Sequence, residues 1–327
     1  MSEITLHVYQ GEWGLPSIDL ECLTSLALLK FAEIPVNINT RGSTFFSPSG
    51  TLPYLNDGTT KISSYKDILE YVKKKGGSLN RGLRESDLNP SQAYLEHLRT
   101  KLHSYLTYTL WGRAESAEAT RFLYAKRTPF PMSFFKPGQI LNKADQYLQI
   151  QRGFSIKSGI PPEEHLTRQI TIDAKIFINE ISKQLGDQEW FFGSSPSEFD
   201  ANLYSYLALL LHYPQNFNPL AGHIRECKNL VKYVNRITTK YFEGFTFDSG
   251  KAQETAKSGR KTKSKSTTGS QDEEESNWKI QVFFGLFSIV SMVAFSLSTG
   301  ILEISRESIS PEGMDFDDED DEETEDN

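Results

Sequence analysis

The residues of this 327-residue chain best suited to chemistry are two cysteines, six histidines and a few hydroxyls beside turns rich in glycine and proline. Cys22 and Cys227 stand far apart in apolar, helical-looking stretches, with no C-x-x-C spacing and no histidine placed to share a metal. That pattern argues against both a disulfide framework and a zinc site. Cys22 falls near a helix start, where a thiolate would be stabilised. Cys227, in the run Ile224, Leu230, Val231 and Val234, reads as core packing. His7, His97, His103, His165, His212 and His223 are scattered at spacings that suggest neither a ligand set nor a triad. No catalytic residue, metal or cofactor is assigned. The hydroxyls are more suggestive. Tyr9 and Ser17 flank the turn after the first strand, with Trp13 between them, and Ser63 and Ser64 open a helix whose free amides and dipole would favour an anion. The plainer reading makes Ser17 and Ser64 helix caps and Tyr9 part of strand packing.

The elements that must position these residues begin with Ile4-Thr5-Leu6-His7-Val8-Tyr9, an alternating run that reads as a strand. Gly11, Gly14 and Pro16 break it, and Ser17 stands where it would cap a helix over 18–33. The apolar residues of that helix are spread too widely for one stripe, so it must be packed on more than one side. Val36-Asn37-Ile38-Asn39 follows as a second strand, and strand, helix, strand within forty residues is a parallel crossover. Leu52-Pro53-Tyr54-Leu55, the turn Asn56-Asp57-Gly58 and Thr60-Lys61-Ile62 read as a hairpin. Ser64 with Asp67 then opens a helix that presents Tyr65, Ile68, Leu69 and Val72 and stops at Gly76-Gly77.

Beyond residue 85 the strand signals give way to helical periodicity. Asn89-Pro90 reads as the start of a helix carrying Leu95, Leu98, Leu102, Tyr105 and Leu106. Four more helices are expected, near 115–127, 163–185, 197–213 and 223–241, with 128–138 too rich in proline to continue a helix. The fold class is therefore α+β, with an α/β part over 1–79 and an all-helical part over 85–243, joined closely enough to dock.

The end of the chain is organised differently. Residues 244–279 form a flexible linker rich in Gly, Ser, Thr and Lys. Residues 280–302 are 23 consecutive uncharged residues. As a helix they would run about 34 Å, enough to cross a bilayer core of about 30 Å. The formal charge of −8 belongs to the tail, since 303–327 carry 13 acids against one Arg and the rest of the chain is net positive. Lys251, Lys257, Arg260, Lys261, Lys263 and Lys265 precede the span and acids follow it, a bias that leaves the long N-terminal part in the cytosol. The basic linker is a solvated tether or a contact for anionic head groups. The acidic tail is a solubilising segment or an attractor for basic partners. The N-terminus shows no signal peptide or presequence character. No nucleic-acid partner is expected.

Several strings carry a resemblance. Leu52-Pro53 ahead of a hairpin and Ser197-Glu198-Phe199-Asp200 at a helix start look like the glutathione transferase fold, a thioredoxin-like domain followed by an all-α domain. In that fold the proline at the Pro53 position is cis, and the Ser197 to Asp200 box caps a buried helix. Gly11-Glu12-Trp13-Gly14-Leu15-Pro16-Ser17, Ser47-Pro48-Ser49-Gly50-Thr51-Leu52-Pro53, Pro129-Phe130-Pro131 and Phe191-Phe192-Gly193 narrow the resemblance to the metaxin family, in its metaxin-1-like branch.

The resemblance implies a mitochondrial outer-membrane scaffold or receptor of the sorting and assembly machinery, supporting β-barrel insertion and protein import. Its implied partners are a second metaxin and the β-barrel insertase, with contact-site or motor-adaptor proteins as further ones. The alternative is a membrane-anchored, glutathione-transferase-like enzyme. In that case Tyr9, Trp13, Ser17, Pro53, Ser63 and Ser64 would border a glutathione-like cleft. The bulk of Trp13 and Glu12 where a thiol should sit favours a cleft that serves protein contacts instead. Phe130, Phe134 and Phe135, in an unusually apolar segment, are the candidate partner interface.

Overall fold

Strand β1 (Ile4–His7) lies at the centre of a four-stranded mixed sheet of order β2-β1-β3-β4. The computed structural model describes residues 4–243, apart from residues 59, 77, 78, 82, 160, 161, 215 and 217, together with Ser288, Ser291 and Met292. β1 pairs in parallel with β2 (Asn37–Asn39) and antiparallel with β3 (Tyr54–Asp57), which pairs antiparallel with β4 (Thr60–Ile62). The parallel pair requires a crossover, and helix α1 (Leu20–Phe31) supplies it. The chain therefore runs β1-α1-β2-β3-β4-α2, with α2 (Tyr65–Lys74) closing the α/β part. α2 buries Ile68, Leu69 and Val72, and the Ser64 hydroxyl accepts from the Asp67 N–H at 3.2 Å. The bond between Leu52 and Pro53 is cis.

Helices α3 (Glu85–His97) and α4 (His103–Trp111) are joined by a π-helical turn at Leu98–Leu102, giving one long helical run. Pro90 lies inside α3, which corrects the reading of Asn89-Pro90 as its start. Glu85 and Asp87 in the first turn stabilise the true N-terminus. After α5 (Ala114–Lys126) comes α6 (Lys136–Arg152), which the sequence reading missed by treating 128–138 purely as a breaker. Pro137 sits in the first turn of α6, where a missing N–H is no loss. α7 (Glu164–Leu185) and α8 (Glu198–His212) match expectation closely. The single helix expected at 223–241 is two, α9 (Leu220–Glu226) and α10 (Lys228–Phe242), broken at Cys227.

The described residues from 4 to 243 lie in one compact unit, Met1–Ser258. Its spine is the contact between α1 and α8, the most extensive between any two helices. Nine of the twelve residues of α1 and thirteen of the fifteen of α8 are buried, so neither has a solvent face. A helix enclosed in this way cannot satisfy its first amides with water. Ser197 and Asp200 do so instead, in a reciprocal box: the Ser197 hydroxyl accepts from the Asp200 N–H, and the Asp200 carboxylate accepts from the Ser197 N–H at 3.0 Å. The same carboxylate accepts from the Phe191 N–H and the Tyr233 hydroxyl, both at 2.9 Å, which binds the approach to α8 and the flank of α10 into the cap.

A second set of bonds ties α2 to the start of α8. The Tyr65 hydroxyl donates to Glu198 at 3.3 Å and accepts from Asn202 at 2.8 Å, while Lys73 pairs with Glu198 at 3.4 Å.

Among the described residues no helix is long and apolar enough to cross a membrane. The linker at 244–279, the acidic tail at 303–327 and the span at 280–302 lie outside the described residues, except Ser288, Ser291 and Met292.

Asp200→Ala strands several buried donors at once, each worth about 1–3 kcal/mol when left unpaired. Urea unfolding of this variant should show a loss of about 3–5 kcal/mol. A loss below about 1 kcal/mol would mean that the box is dispensable to α8.

Candidate functional site

Two places in the compact unit concentrate unusual chemistry: a cavity between the α/β part and α4 to α6, and an apolar surface where α5 meets α6. The cavity, of about 330 Å³, is bordered by the end of β1, the start of α1, the loop 49–52, and one face each of α4 and α6. Of the six residues assigned to a glutathione-like cleft, Tyr9 alone lines it. Tyr9 is buried edge-on against Tyr124 at 5.1 Å. Burial, then the negative charge of Asp19, push its phenol far above the ordinary value, so it stays protonated.

Ser17 is fully buried and does not cap α1, contrary to expectation. The cap is Asp19, whose carboxylate accepts from the Cys22 N–H at 3.0 Å and from the Tyr124 hydroxyl at 3.0 Å. Asp19 is two residues closer to the first helical turn, and Ser17 instead accepts from the Asp19 N–H at 3.3 Å. The Cys22 thiol lies beneath this cap, and burial raises its pKa well above the ordinary range. Proximity to the helix start, the feature favouring a thiolate, is thus outweighed by desolvation.

Trp13 adopts a left-handed backbone (φ 55°) and packs edge-on against Tyr213 at 5.3 Å, at the far end of α8. The loop that carries it is clamped by the buried Arg127 guanidinium, which pairs with Glu12 and donates to the carbonyls of Gln10 and Gly11. Gly11 permits that loop, because a Cβ there would overlap the Leu15 carbonyl. Pro53 is buried ahead of β3. The Ser63 carbonyl accepts from the Ser49 hydroxyl at 3.1 Å, and the Ser64 hydroxyl serves as the α2 cap.

Cys227 is half-buried at the break between α9 and α10, a cap position rather than the interior of one helix. His103 lines the cavity and packs edge-on against Tyr147 at 4.6 Å and Tyr206 at 6.1 Å. Burial, helped by the charge of Arg99, lowers its pKa to about 4. Its position was visible in the sequence, but its enclosure required helices distant along the chain.

The second place holds the aromatic segment. Phe130, Phe134 and Phe135 are 72%, 74% and 60% exposed, and Phe122 of α5 is 70% exposed. Phe130 and Phe134 contact each other edge-on at 6.0 Å. Beside them a groove of about 690 Å³ is lined by Ala117, Phe122, Phe134 and Leu141 together with the charged Glu118 and Arg121. Phe45 and Phe46, 75% and 59% exposed, were not singled out from sequence. They fall in a 3-10 turn (Thr44–Phe46), and nothing in the local pattern marks such a turn as exposed. Clustered exposed phenylalanines are uncommon on the surface of a folded body.

The family model described as outer mitochondrial membrane transport complex protein matches residues 22–141, which include the aromatic segment. A glutathione S-transferase C-terminal domain model matches residues 174–237, which span α8 and its cap. The metaxin-1 homolog of Drosophila melanogaster is 35% identical, with 97% of this chain and 97% of that protein covered. Metaxin-1 of Mus musculus is 31% identical, with 93% and 92% covered. Among solved structures, a glutathione transferase from Phanerochaete chrysosporium superposes with a TM-score of 0.48 at 12% identity, covering 76% of this chain and 98% of that one.

A histidine whose pKa falls from 6.5 to about 4 on folding leaves the unfolded chain binding more protons between those values. Its neutral state therefore contributes stability above about pH 6.5 that is lost as pH falls towards 4. Urea midpoints measured from pH 7 to 5 should decline, and His103→Phe should flatten that decline; an unchanged slope in the variant would assign it to other groups.

Proposed function

Because the chain belongs to the metaxin family, we propose that it is a subunit of a protein-transport complex in the outer mitochondrial membrane. The observation that carries this reading is identity at 35% along nearly the whole chain rather than over one motif. The match of residues 22–141 to the transport-complex family model supports the same reading.

Within that complex we assign the chain a scaffold or receptor role in the sorting and assembly machinery, beside a second metaxin and the β-barrel insertase. Residues 280–302 are its tail anchor, and the body, with a thioredoxin-like part over 1–79 and a helical part over 85–243, faces the cytosol. An anchor of this kind raises the local concentration of a binding module at one membrane surface. The linker at 244–279 lets the body reach its partners.

The aromatic surface carries the partner contact. Phe130, Phe134 and Phe135 offer rigid, largely exposed rings beside a groove that pairs apolar walls with Glu118 and Arg121, aromatic residues being enriched in interface cores. Binding rather than catalysis is favoured by the cavity itself. A glutathione thiolate needs an acidic, accessible hydroxyl or thiol near it, whereas Tyr9 and Cys22 are both driven by burial towards their neutral, unreactive forms.

Native purification of the detergent-solubilised chain from mitochondria should co-isolate a β-barrel insertase and a second metaxin. Recovery of the chain alone, or turnover in a glutathione conjugation assay, would overturn the reading. Phe130→Glu with Phe134→Glu should reduce recovery of the second metaxin about tenfold, a change of about 1.4 kcal/mol, with the thermal midpoint of the body unchanged. Equal recovery from this variant would place the interface elsewhere.

A further inference from the structure

Phe45 and Phe46 stand side by side on the 3-10 turn Thr44–Phe46, 75% and 59% exposed. The turn is tied on both sides of the rings. The Ser43 hydroxyl accepts from the Phe45 N–H at 3.2 Å, the Ser47 N–H donates to the Thr44 carbonyl at 3.3 Å, and Thr44 itself is buried. Two large apolar rings are thus held in water by the turn that carries them, at a cost that a covering surface would remove.

The charges around the rings have one sign. From Ile34 to Asn56 the sequence has no acid, while Arg41 and, on the neighbouring strand β4, Lys61 are both exposed. The Lys61 ammonium donates to the Phe46 carbonyl at 3.4 Å and stands 5.9 Å from the centre of the Phe46 ring, which keeps the cation beside the apolar tip. Asp57, across β4 in the hairpin, is occupied by the Lys75 ammonium at 3.2 Å and the Tyr71 hydroxyl at 2.7 Å.

The small extent of the tip selects its partner. A stable protein interface draws on about 20–30 residues from each side, whereas this turn offers two rings, flanked along the chain by Ser43, Ser47 and Ser49. A bilayer asks for no matching shape: apolar side chains enter the headgroup region and cations beside them meet anionic lipid. With residues 280–302 as an anchor, residues 244–279 keep the body within reach of such a surface, so this step rests on the membrane placement proposed above.

We propose that the Thr44–Phe46 turn is a second membrane contact, which inserts Phe45 and Phe46 into the headgroup region of an anionic bilayer and sets Arg41 and Lys61 against lipid phosphates. A single anchor leaves the body free to rotate at the membrane, and a second contact sets its orientation. The aromatic surface where α5 meets α6 comes from a different part of the chain and keeps its role in partner binding.

The test uses the full chain in vesicles of phosphatidylcholine with about one-fifth phosphatidylinositol. In a Cys227→Ser background, with Cys22 buried, a nitrobenzoxadiazole fluorophore is placed at the exposed position Pro48→Cys beside the tip or, as a control, at the exposed position Glu180→Cys of α7. Lipids spin-labelled near the headgroup should quench the tip label about threefold more than the control. Phe45→Ser with Phe46→Ser should lower that quenching to the control level with the thermal midpoint of the body unchanged, and omission of phosphatidylinositol should reduce it about twofold. Equal quenching at the two positions, quenching that survives the double substitution, or indifference to phosphatidylinositol would each overturn the proposal. A detergent-solubilised dimer that the double substitution dissociates would overturn it too, by giving the tip to a second copy. Flotation distinguishes this failure from that of the anchor reading. A chain that floats with the vesicles and resists alkaline extraction, yet shows no preferential quenching, keeps the anchor and loses the tip contact. One released by alkali but quenched at the tip keeps the tip contact and loses the anchor, and one that does not float at neutral pH loses both.

Discussion

The structure depends on closing the N-terminus of a helix that has no access to water. Helix α8 is enclosed by α1, α3, α9 and α10, so its first amides require partners from the protein itself. Asp200 provides them with one carboxylate that receives donors from three separate parts of the chain, at Phe191, Ser197 and Tyr233. The consequence is geometric as well as energetic. The strip Trp190-Phe191-Phe192, the start of α8 and the flank of α10 are held in register, and the ring packing of Phe191 against Phe199 at 4.5 Å follows from that register.

From this fixed helix the remaining parts take their positions. α1 lies along α8 and brings the sheet with it, while Tyr65 and Lys73 of α2 reach Glu198 at the same helix start. The cavity is a by-product of the arrangement: α4 and α6 stand off from the start of α1 and leave a space floored by apolar side chains and rimmed by Lys136, Ser49 and Thr51. The aromatic surface is likewise a consequence of where α5 ends. The chain must pass from α5 to α6 through Pro129-Phe130-Pro131, and this short path leaves Phe130, Phe134 and Phe135 outside the core. The pocket lies against α4 and α6 and the exposed aromatic surface where α5 meets α6, so α6 takes part in both.

The sequence alone determined the elements whose signals are local. Alternation marked β1, the Asn56-Asp57-Gly58 turn marked the hairpin, and the Ser197 to Asp200 spacing marked the start of α8, because each depends on residues within four positions of one another. Tertiary structure decided the rest. Pro137 reads as a breaker but opens α6, where its lost N–H has no partner to miss, whereas Pro90 reads as a helix start but sits in the interior of α3, at the cost of one helical hydrogen bond. Ser17 yields the cap to Asp19 because the path of the turn, clamped by Arg127, sets which side chain meets the free amides. Burial, finally, is a property of neighbours distant in sequence. No spacing rule shows that Cys22 and Tyr9 are silenced by desolvation, because the walls that exclude solvent come from helices up to about two hundred residues apart along the chain.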